Sequence, residues 1–252
     1  MINPLDFTGK TVWVTGAGRG IGLEVANAFL ENGATVIGFD LVFSEPKYDF
    51  ECIELDISDE QVVASTVLSV SERHPVLDVL VNGAAILHLG SVEETSLKEF
   101  QRCINVNAGG PFLMIQHTMP LFKQQKSGAI VTISSNAAKV PRQNMAAYCA
   151  SKAALSALSH TAALELAPYG VRCNVVCPGS TDTPMQRMLW TDDEAEKNTI
   201  RGFPEQYKLG IPLGKIAQPN DIAQVVLFFA SSMANHITMQ DVVADGGATL
   251  NA

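Results

Sequence analysis

Tyr148 and Lys152 lie four residues apart in a stretch, Met145 to Leu166, whose Ala and Leu content and spacing predict a helix. At that spacing two side chains share a helix face. An ammonium beside a phenol favours the phenolate, so Lys152 is expected to lower the pKa of Tyr148 toward working pH and make it an acid/base group. Ser135 stands thirteen residues before Tyr148, just after the β-branched run Ala129–Ile133. That places it at the C-terminal end of a strand, where an open parallel sheet binds its ligand. A hydroxyl donor, a tunable acid/base and a cation would then meet on one substrate oxygen. Tyr-x-x-x-Lys by itself is common by chance, and a solvated lysine beside a half-buried tyrosine is the plain alternative. The elements around the pair decide between them.

Thr11–Thr15 reads as a short apolar strand that runs into Gly16-Ala-Gly-Arg-Gly-Ile-Gly22, and a helix follows to about Glu31. Strand, glycine turn and helix together form a dinucleotide site, in which Gly16, Arg19, Gly20, Ile21 and Gly22 approach a pyrophosphate at the helix N-terminus. Asp40 closes the second strand, Ala34–Phe39, and is followed by Leu41 rather than by a cation. A carboxylate there accepts ribose hydroxyls and repels a 2′-phosphate, so the expected cofactor is NAD, although Arg19 could pair with that phosphate. The third strand, Cys52–Leu55, ends at Asp56-Ile57, where Asp56 either reaches the adenine or caps the next helix, a task Ser58 or Asp59 could equally perform. Val76–Val81 reads as a doubly covered parallel strand ending at Asn82-Gly-Ala84-Ala85. Helices from about Ser96 to Lys123, a strand at Gly128–Ile133, the Tyr148 helix and a strand at Val171–Cys177 follow, the last ending at Pro178-Gly179-Ser-Thr181-Asp-Thr183. Met185–Gly210 is too long for a simple connection and reads as a lid. A helix at Pro219–Ala230 and a strand at Gln240–Ala244 close the chain. The expected fold is α/β: a single doubly wound Rossmann-type domain over residues 1–252, with a mostly parallel seven-stranded sheet, helices on both faces and a lid at about 182–210.

The composition is 47% hydrophobic and 17% charged, enough for a substantial core. A net charge of −9 argues against nucleic acid or an anionic membrane as partner. Five cysteines without a C-x-x-C pair read as free thiols in a reducing compartment, with Cys149 in core packing. The start of the chain lacks the features of a signal peptide and no run of eighteen apolar residues occurs, so a cytoplasmic location is expected. His88 reads as a solvated loop residue. The five histidines show no metal-ligand spacing, and no metal is expected.

Thr15-Gly16, Gly20-Ile21-Gly22, Asp40, Asp56, Asn82, Asn107, Ser135, Tyr148, Lys152 and Pro178-Gly179, in this order and spacing, resemble the short-chain dehydrogenase/reductase family over nearly the whole chain. The resemblance implies Tyr148 as general base, Lys152 as its partner on the nicotinamide ribose and Ser135 as the group holding the reacting oxygen. It implies Asn107 as a helix-breaking residue that retains a proton-relay water, and Thr181 and Thr183 as part of the nicotinamide-binding loop. One departure stands out: Asn82-Gly83-Ala84-Ala85 replaces the usual Asn-Asn-Ala-Gly, which puts the backbone geometry of that turn in question.

The segments 172–183, 185–190, 200–203, 208–216 and 236–241 narrow the resemblance to 2,3-dihydro-2,3-dihydroxybenzoate dehydrogenases of catecholate siderophore biosynthesis. This implies NAD-dependent oxidation of a cyclohexadiene diol carboxylate, a homotetramer, and a transient contact with the dihydroxybenzoate-activating ligase. A carboxylate substrate in an acidic protein calls for a local cation. Arg142, between Ser135 and Tyr148, is the first candidate and lid Arg187 the second, against the alternative that both are surface residues. Met185 and its neighbours Met188, Leu189 and Trp190 either cover the substrate ring or pack the lid. A relative acting on a sugar, steroid or acyl-carrier ketone, and a non-catalytic NAD-binding protein, are the competing readings.

Overall fold

The computed structural model describes residues 5–45, 47–190 and 192–250. In chain order the main elements are β1 (Thr11–Thr15), α1 (Gly20–Glu31), β2 (Thr35–Asp40), β3 (Glu51–Glu54), α2 (Glu60–Arg73), β4 (Val79–Asn82), α3 (Leu97–Ile104), α4 (Gly110–Gln125), β5 (Gly128–Ile133), α5 (Ala146–Leu166), β6 (Val171–Pro178), α6 (Pro184–Arg187), α7 (Ala195–Arg201), β7 (Gly202–Phe203), β8 (Lys208–Leu209), α8 (Pro219–Ala230) and β9 (Asp241–Ala244). Seven strands form one sheet in the order β3-β2-β1-β4-β5-β6-β9, and every pair in it is parallel. The order reverses at β1, between β2 and β4, which opens a crevice at their C-terminal ends.

Strand alternation sorts the apolar residues onto two faces. Val12 and Val14 of β1 join Phe29, Val226 and Phe229 in a core under α1 and α8. Trp13 of the same strand joins Val67, Phe122, Ile130 and Leu166 in a core under α2, α4 and α5. Both faces are therefore covered, and the β-branched runs of the sequence have no solvent side. No described helix is long and apolar enough to cross a membrane.

The helix starts show which polar residues are structural. Asp59 caps α2 by accepting from the N–H groups of Gln61 and Val62, so of the three cap candidates it is Asp59 that serves. Ser96 and Glu99 form a reciprocal capping box on α3. By contrast α1 begins at Arg19 with no side-chain cap and no acidic residue in its first turn. Between α3 and α4 the chain does not break but widens into a π-helical turn, Asn105–Gly109. The physical reason lies in the sequence: Pro111 has no N–H, so the α-helical donor to the Asn107 carbonyl is missing.

The stretch read as a lid carries α6, α7 and the β7–β8 hairpin. Gly202 anchors the hairpin with a φ of 88°, and a Cβ there would stand 2.4 Å from the Gly210 nitrogen. Arg172 of β6 donates to the carbonyls of Phe229, Ala230 and Ser231 at the end of α8. These are orphan helix-end acceptors, held by one planar cation. Arg172→Met should therefore destabilise the fold by roughly 2–4 kcal/mol, and Arg172→Lys by less, since a single ammonium satisfies fewer of the three carbonyls. Urea unfolding of the three proteins checks this; a midpoint unchanged in Arg172→Met would contradict it.

Candidate active site

Sheet register brings the candidate residues level with one another. Thr15 pairs with Phe39 and Asn82, Asn82 with Thr132, and Ile133 with Val176. The residues at or just beyond these strand ends are Asp40, Gly16, Asn82, Ser135 and Pro178, in strand order. At about 4.8 Å per strand they span about 19 Å of crevice.

At one end the glycine loop is shaped by close approach. Gly16 has a φ of 76°, and a Cβ on it would meet the Ala84 nitrogen at 2.7 Å. A Cβ on Gly22 would lie 2.0 Å from the Gly16 carbonyl oxygen. The exposed Arg19 extends the chain into α1, and Gly20 passes beside Thr183. Asp40 holds the loop from β2: one carboxylate oxygen accepts from Gly18 N–H at 2.8 Å and the other from Leu41 N–H at 2.7 Å. The side chain of Leu41 is exposed. Bare helix N–H groups, a backbone cradle without side chains and a carboxylate at the next strand end fit a dinucleotide. So does Asn82, a buried residue whose Oδ1 has no hydrogen-bond partner among the described residues.

The unusual Asn82-Gly-Ala-Ala turn is geometrically sound. Thr15 Oγ1 accepts from the N–H groups of Gly83 and Ala84 at 3.1 and 3.3 Å. Neither Ala84 nor Ala85 has a positive φ, so the alanine at 85 costs no strain, whereas a Cβ at 83 would meet the Thr15 oxygen at 2.7 Å. Asp56 is exposed and closes a local turn, accepting from the N–H and hydroxyl of Ser58. Ile57 is a core residue packed where Gly110 leaves room for it.

At the other end stands the acid/base group. Ser135 accepts from Ala137 N–H at 3.1 Å, and its hydroxyl is near enough to the Tyr148 phenol to favour the phenolate. Lys152 is buried, and its Nζ donates to the Ile133 carbonyl at 2.9 Å and lies 5.8 Å from the Tyr148 ring centre. Burial pushes Tyr148 up to about 12, against the Ser135 hydrogen bond, and pushes Lys152 down to about 8. The expected lowering of the tyrosine by the lysine is thus outweighed within the protein by the desolvation of both groups.

Asn107, fully buried in the π turn, is a clamp. Its Oδ1 accepts from Ile86 N–H at 2.8 Å, and its Nδ2 donates to the Ile86 carbonyl and Ser151 Oγ, both at 2.9 Å. Ser151 in turn donates to the Tyr148 carbonyl at 2.8 Å. The amide's donors are spent on the protein, so a water at this turn can bond only to acceptors of Asn107, its Oδ1 or its backbone carbonyl. Ser134 accepts from Ser156 and donates to the Lys152 carbonyl. Sequence reasoning missed Ser151, Ser134 and Ser156. Their signal is three serines on the buried face of an otherwise apolar helix and strand end.

Pro178-Gly179 passes Asp245 so closely that a Cβ on Gly179 would lie 2.5 Å from that residue's Cβ. Thr181 is buried and bonds the Gly179 carbonyl, while Thr183 caps α6. Arg142 is half-buried, and burial lowers its pKa. Arg187 is different: exposed, and bound through Nε and an Nη to both oxygens of Asp182 at 2.6 and 2.9 Å. The second cation candidate is therefore committed to a surface ion pair. Met185 is half-buried and Met188 exposed. Two further expectations are corrected: Cys149 is half-buried rather than core, and His88 is mostly buried, with Nε2 3.9 Å from Glu99. No group of three His, Cys, Asp or Glu among the described residues could hold a metal ion.

Comparison with known proteins agrees with this geometry. A family model described as enoyl-(acyl carrier protein) reductase matches residues 16–249. The chain is 54% identical over 248 residues to the 2,3-dihydro-2,3-dihydroxybenzoate dehydrogenase of Escherichia coli, covering 98% of this chain and 100% of that one. It is 40% identical to the vibriobactin-specific enzyme of that name from Vibrio cholerae, covering 98% of each. Among solved structures, the aldohexose dehydrogenase of Thermoplasma acidophilum superposes with a TM-score of 0.89 at 32% identity, covering 98% of this chain and 96% of that one. The parallel sheet, the glycine cradle and the Ser135–Tyr148–Lys152 cluster accordingly belong to an oxidoreductase, and the chain is a member of the short-chain dehydrogenase/reductase family.

Proposed function

We propose that this protein oxidises 2,3-dihydro-2,3-dihydroxybenzoate to 2,3-dihydroxybenzoate with NAD, in the biosynthesis of a catecholate siderophore. The observation that carries the reading is the 54% identity along the whole chain, lid included, to a dehydrogenase of that diol acid. Gly16, Arg19, Gly20, Ile21 and Gly22 hold the pyrophosphate, and Asp40 and Leu41 border the adenosine ribose. Asp56, Ile57, Asn82 and Ala84 surround the adenine side. Pro178, Gly179, Thr181 and Thr183 border the nicotinamide, whose ring accepts a hydride. Tyr148 and Lys152 contact its ribose.

Ser135 donates to the reacting ring hydroxyl, and Tyr148 as phenolate takes that hydroxyl's proton. The C–H bond on the same carbon breaks as a hydride, so a hydride and one proton leave and a ketone remains. Enolisation to the catechol follows and draws the step forward. Burial above all pushes Tyr148 up to about 12, so the phenolate would depend on a positively charged Lys152 beside it. The proton then passes along Lys152 to solvent through water held at the Asn107 backbone. Arg142 receives the substrate carboxylate. Assembly as a homotetramer, a cytoplasmic location and transient contact with the dihydroxybenzoate-activating ligase belong to the same reading.

Tyr148→Phe should lower kcat by roughly 10²-fold or more while NAD binding, followed by tryptophan fluorescence, is kept. Retained turnover would remove Tyr148 from the base role. Asp40→Asn keeps an acceptor for Gly18 but loses the charge, and should shift the NAD/NADP ratio of kcat/KM by about tenfold toward NADP; an unmoved ratio would pass cofactor choice to Arg19 or the backbone.

The third expectation concerns Lys152. Its folded pKa of about 8 lies below the ordinary 10.5, so the native state disfavours the proton. That cost is present in full below about pH 8 and is gone above the ordinary value. Lys152→Met should thus be more stable than the parent at pH 7 by on the order of 1–3 kcal/mol, with the gain shrinking as pH rises toward 10.5, while turnover is lost. Thermal unfolding of both proteins across that range checks the sign; a variant less stable at pH 7 would contradict it.

A further inference from the structure

The connection between β2 and β3 builds an aromatic stack beside the glycine loop. Gly38 of β2 has no side chain, and the Phe50 ring takes that space. A Cβ on Gly38 would stand 2.5 Å from Phe50 Cε2 and 2.9 Å from the Cβ of Ala17. Tyr48 packs on Phe50 with ring centres 5.5 Å apart, and Phe43 meets Tyr48 edge-on at 5.0 Å. Phe43 and Phe50 in turn pack on the core under α1 and α8. The half-buried Tyr48 ring is thereby held from two sides, with its hydroxyl left to find a polar partner.

That partner is the glycine loop. The Tyr48 hydroxyl donates to the Gly18 carbonyl at 3.0 Å and accepts from the Glu45 N–H at 2.9 Å. Gly18 is also the residue whose N–H donates to Asp40 at 2.8 Å. Both backbone polar groups of Gly18 are therefore taken by side chains from the end of β2 and beyond it. The backbone approaches as closely: a Cβ on Gly18 would lie 2.5 Å from the Val42 carbonyl oxygen. Since α1 starts without a side-chain cap, its own first turn gives the loop no such support. A glycine-rich turn left to itself samples many conformations, and a ligand that needs one of them must order it.

We propose that Tyr48 is a positioning residue for the adenosine half of the cofactor: by holding the Gly18 peptide it presets the glycine loop, and with it the Asp40 carboxylate, in the shape that receives the dinucleotide. The inference rests on the NAD reading above. Asp40 acts by charge and Tyr48 by preorganisation, so the two roles are separable. In Tyr48→Phe the aromatic stack survives, water replaces the lost hydroxyl at Gly18 and Glu45, and the fold loses little. The loop gains freedom that NAD must then remove.

The test is calorimetric titration of the parent and of Tyr48→Phe with NAD, NADP and ADP-ribose, which carries the adenosine half without the nicotinamide. Tyr48→Phe should weaken NAD and ADP-ribose alike, by about fivefold or more. The KM for NAD should rise by the same factor, while kcat at saturating NAD and the KM for the diol acid each move by less than about twofold. Amide hydrogen exchange supplies a readout without ligand. The segment containing Gly18 should exchange faster in the free variant than in the free parent, and the difference should vanish with NAD bound. Unchanged affinity, a loss for NAD that ADP-ribose does not share, or identical exchange at Gly18 in the two free proteins overturns the assignment. A parent that binds NADP more tightly than NAD overturns the NAD reading instead, and Tyr48 then stands or falls by the same loss measured with NADP.

Discussion

The buried ammonium of Lys152 on the carbonyl of Ile133 is the contact on which the site depends. It joins the last residue of β5 to the second turn of α5, and so fixes Ser135 and Tyr148 relative to each other. It is also unfavourable to the fold, because burial works against the charge of Lys152 as it does against that of Tyr148. The surrounding serines and Asn107 supply what that geometry needs: Ser134 takes the Lys152 carbonyl, Ser151 the Tyr148 carbonyl, and Asn107 ties Ser151 to the loop after β4. Hydrogen bonds between rigid elements hold a charged group where solvation would not, a common signature of a site built for chemistry.

The parallel sheet does the rest by register. Since β1, β2, β4, β5 and β6 end level, the glycine cradle and the Ser135–Tyr148–Lys152 cluster occupy one crevice without either being on a long loop. Glycines appear where backbone passes backbone, as at Gly16 against Ala84 and Gly179 against Asp245, and the turn at Asn82 tolerates Ala85 because Thr15, rather than a left-handed residue, defines it.

Much of this was legible in the residues themselves. The continuous apolar runs of β1, β4 and β5 gave a doubly covered sheet, and the Pro219–Ala230 helix has the limits its sequence suggests. Strand ends were legible too, and with them Ser135, Asp40 and Asn82. What was hidden depends on contacts between distant segments. Nothing local says that Asn107 clamps Ile86 and Ser151, or that Ser134 ties Ser156 to the Lys152 carbonyl. The spacing of Tyr148 and Lys152 promised a lowered phenol pKa; the depth at which the fold buries them reversed its sign.

The most direct measurement is a coupled assay on the purified protein with NAD and 2,3-dihydro-2,3-dihydroxybenzoate, following NADH absorbance and catechol fluorescence together. The account predicts that both signals grow in a one-to-one ratio. NADH formed from another alcohol, with neither signal from the diol acid, would leave the family in place and contradict the proposed substrate.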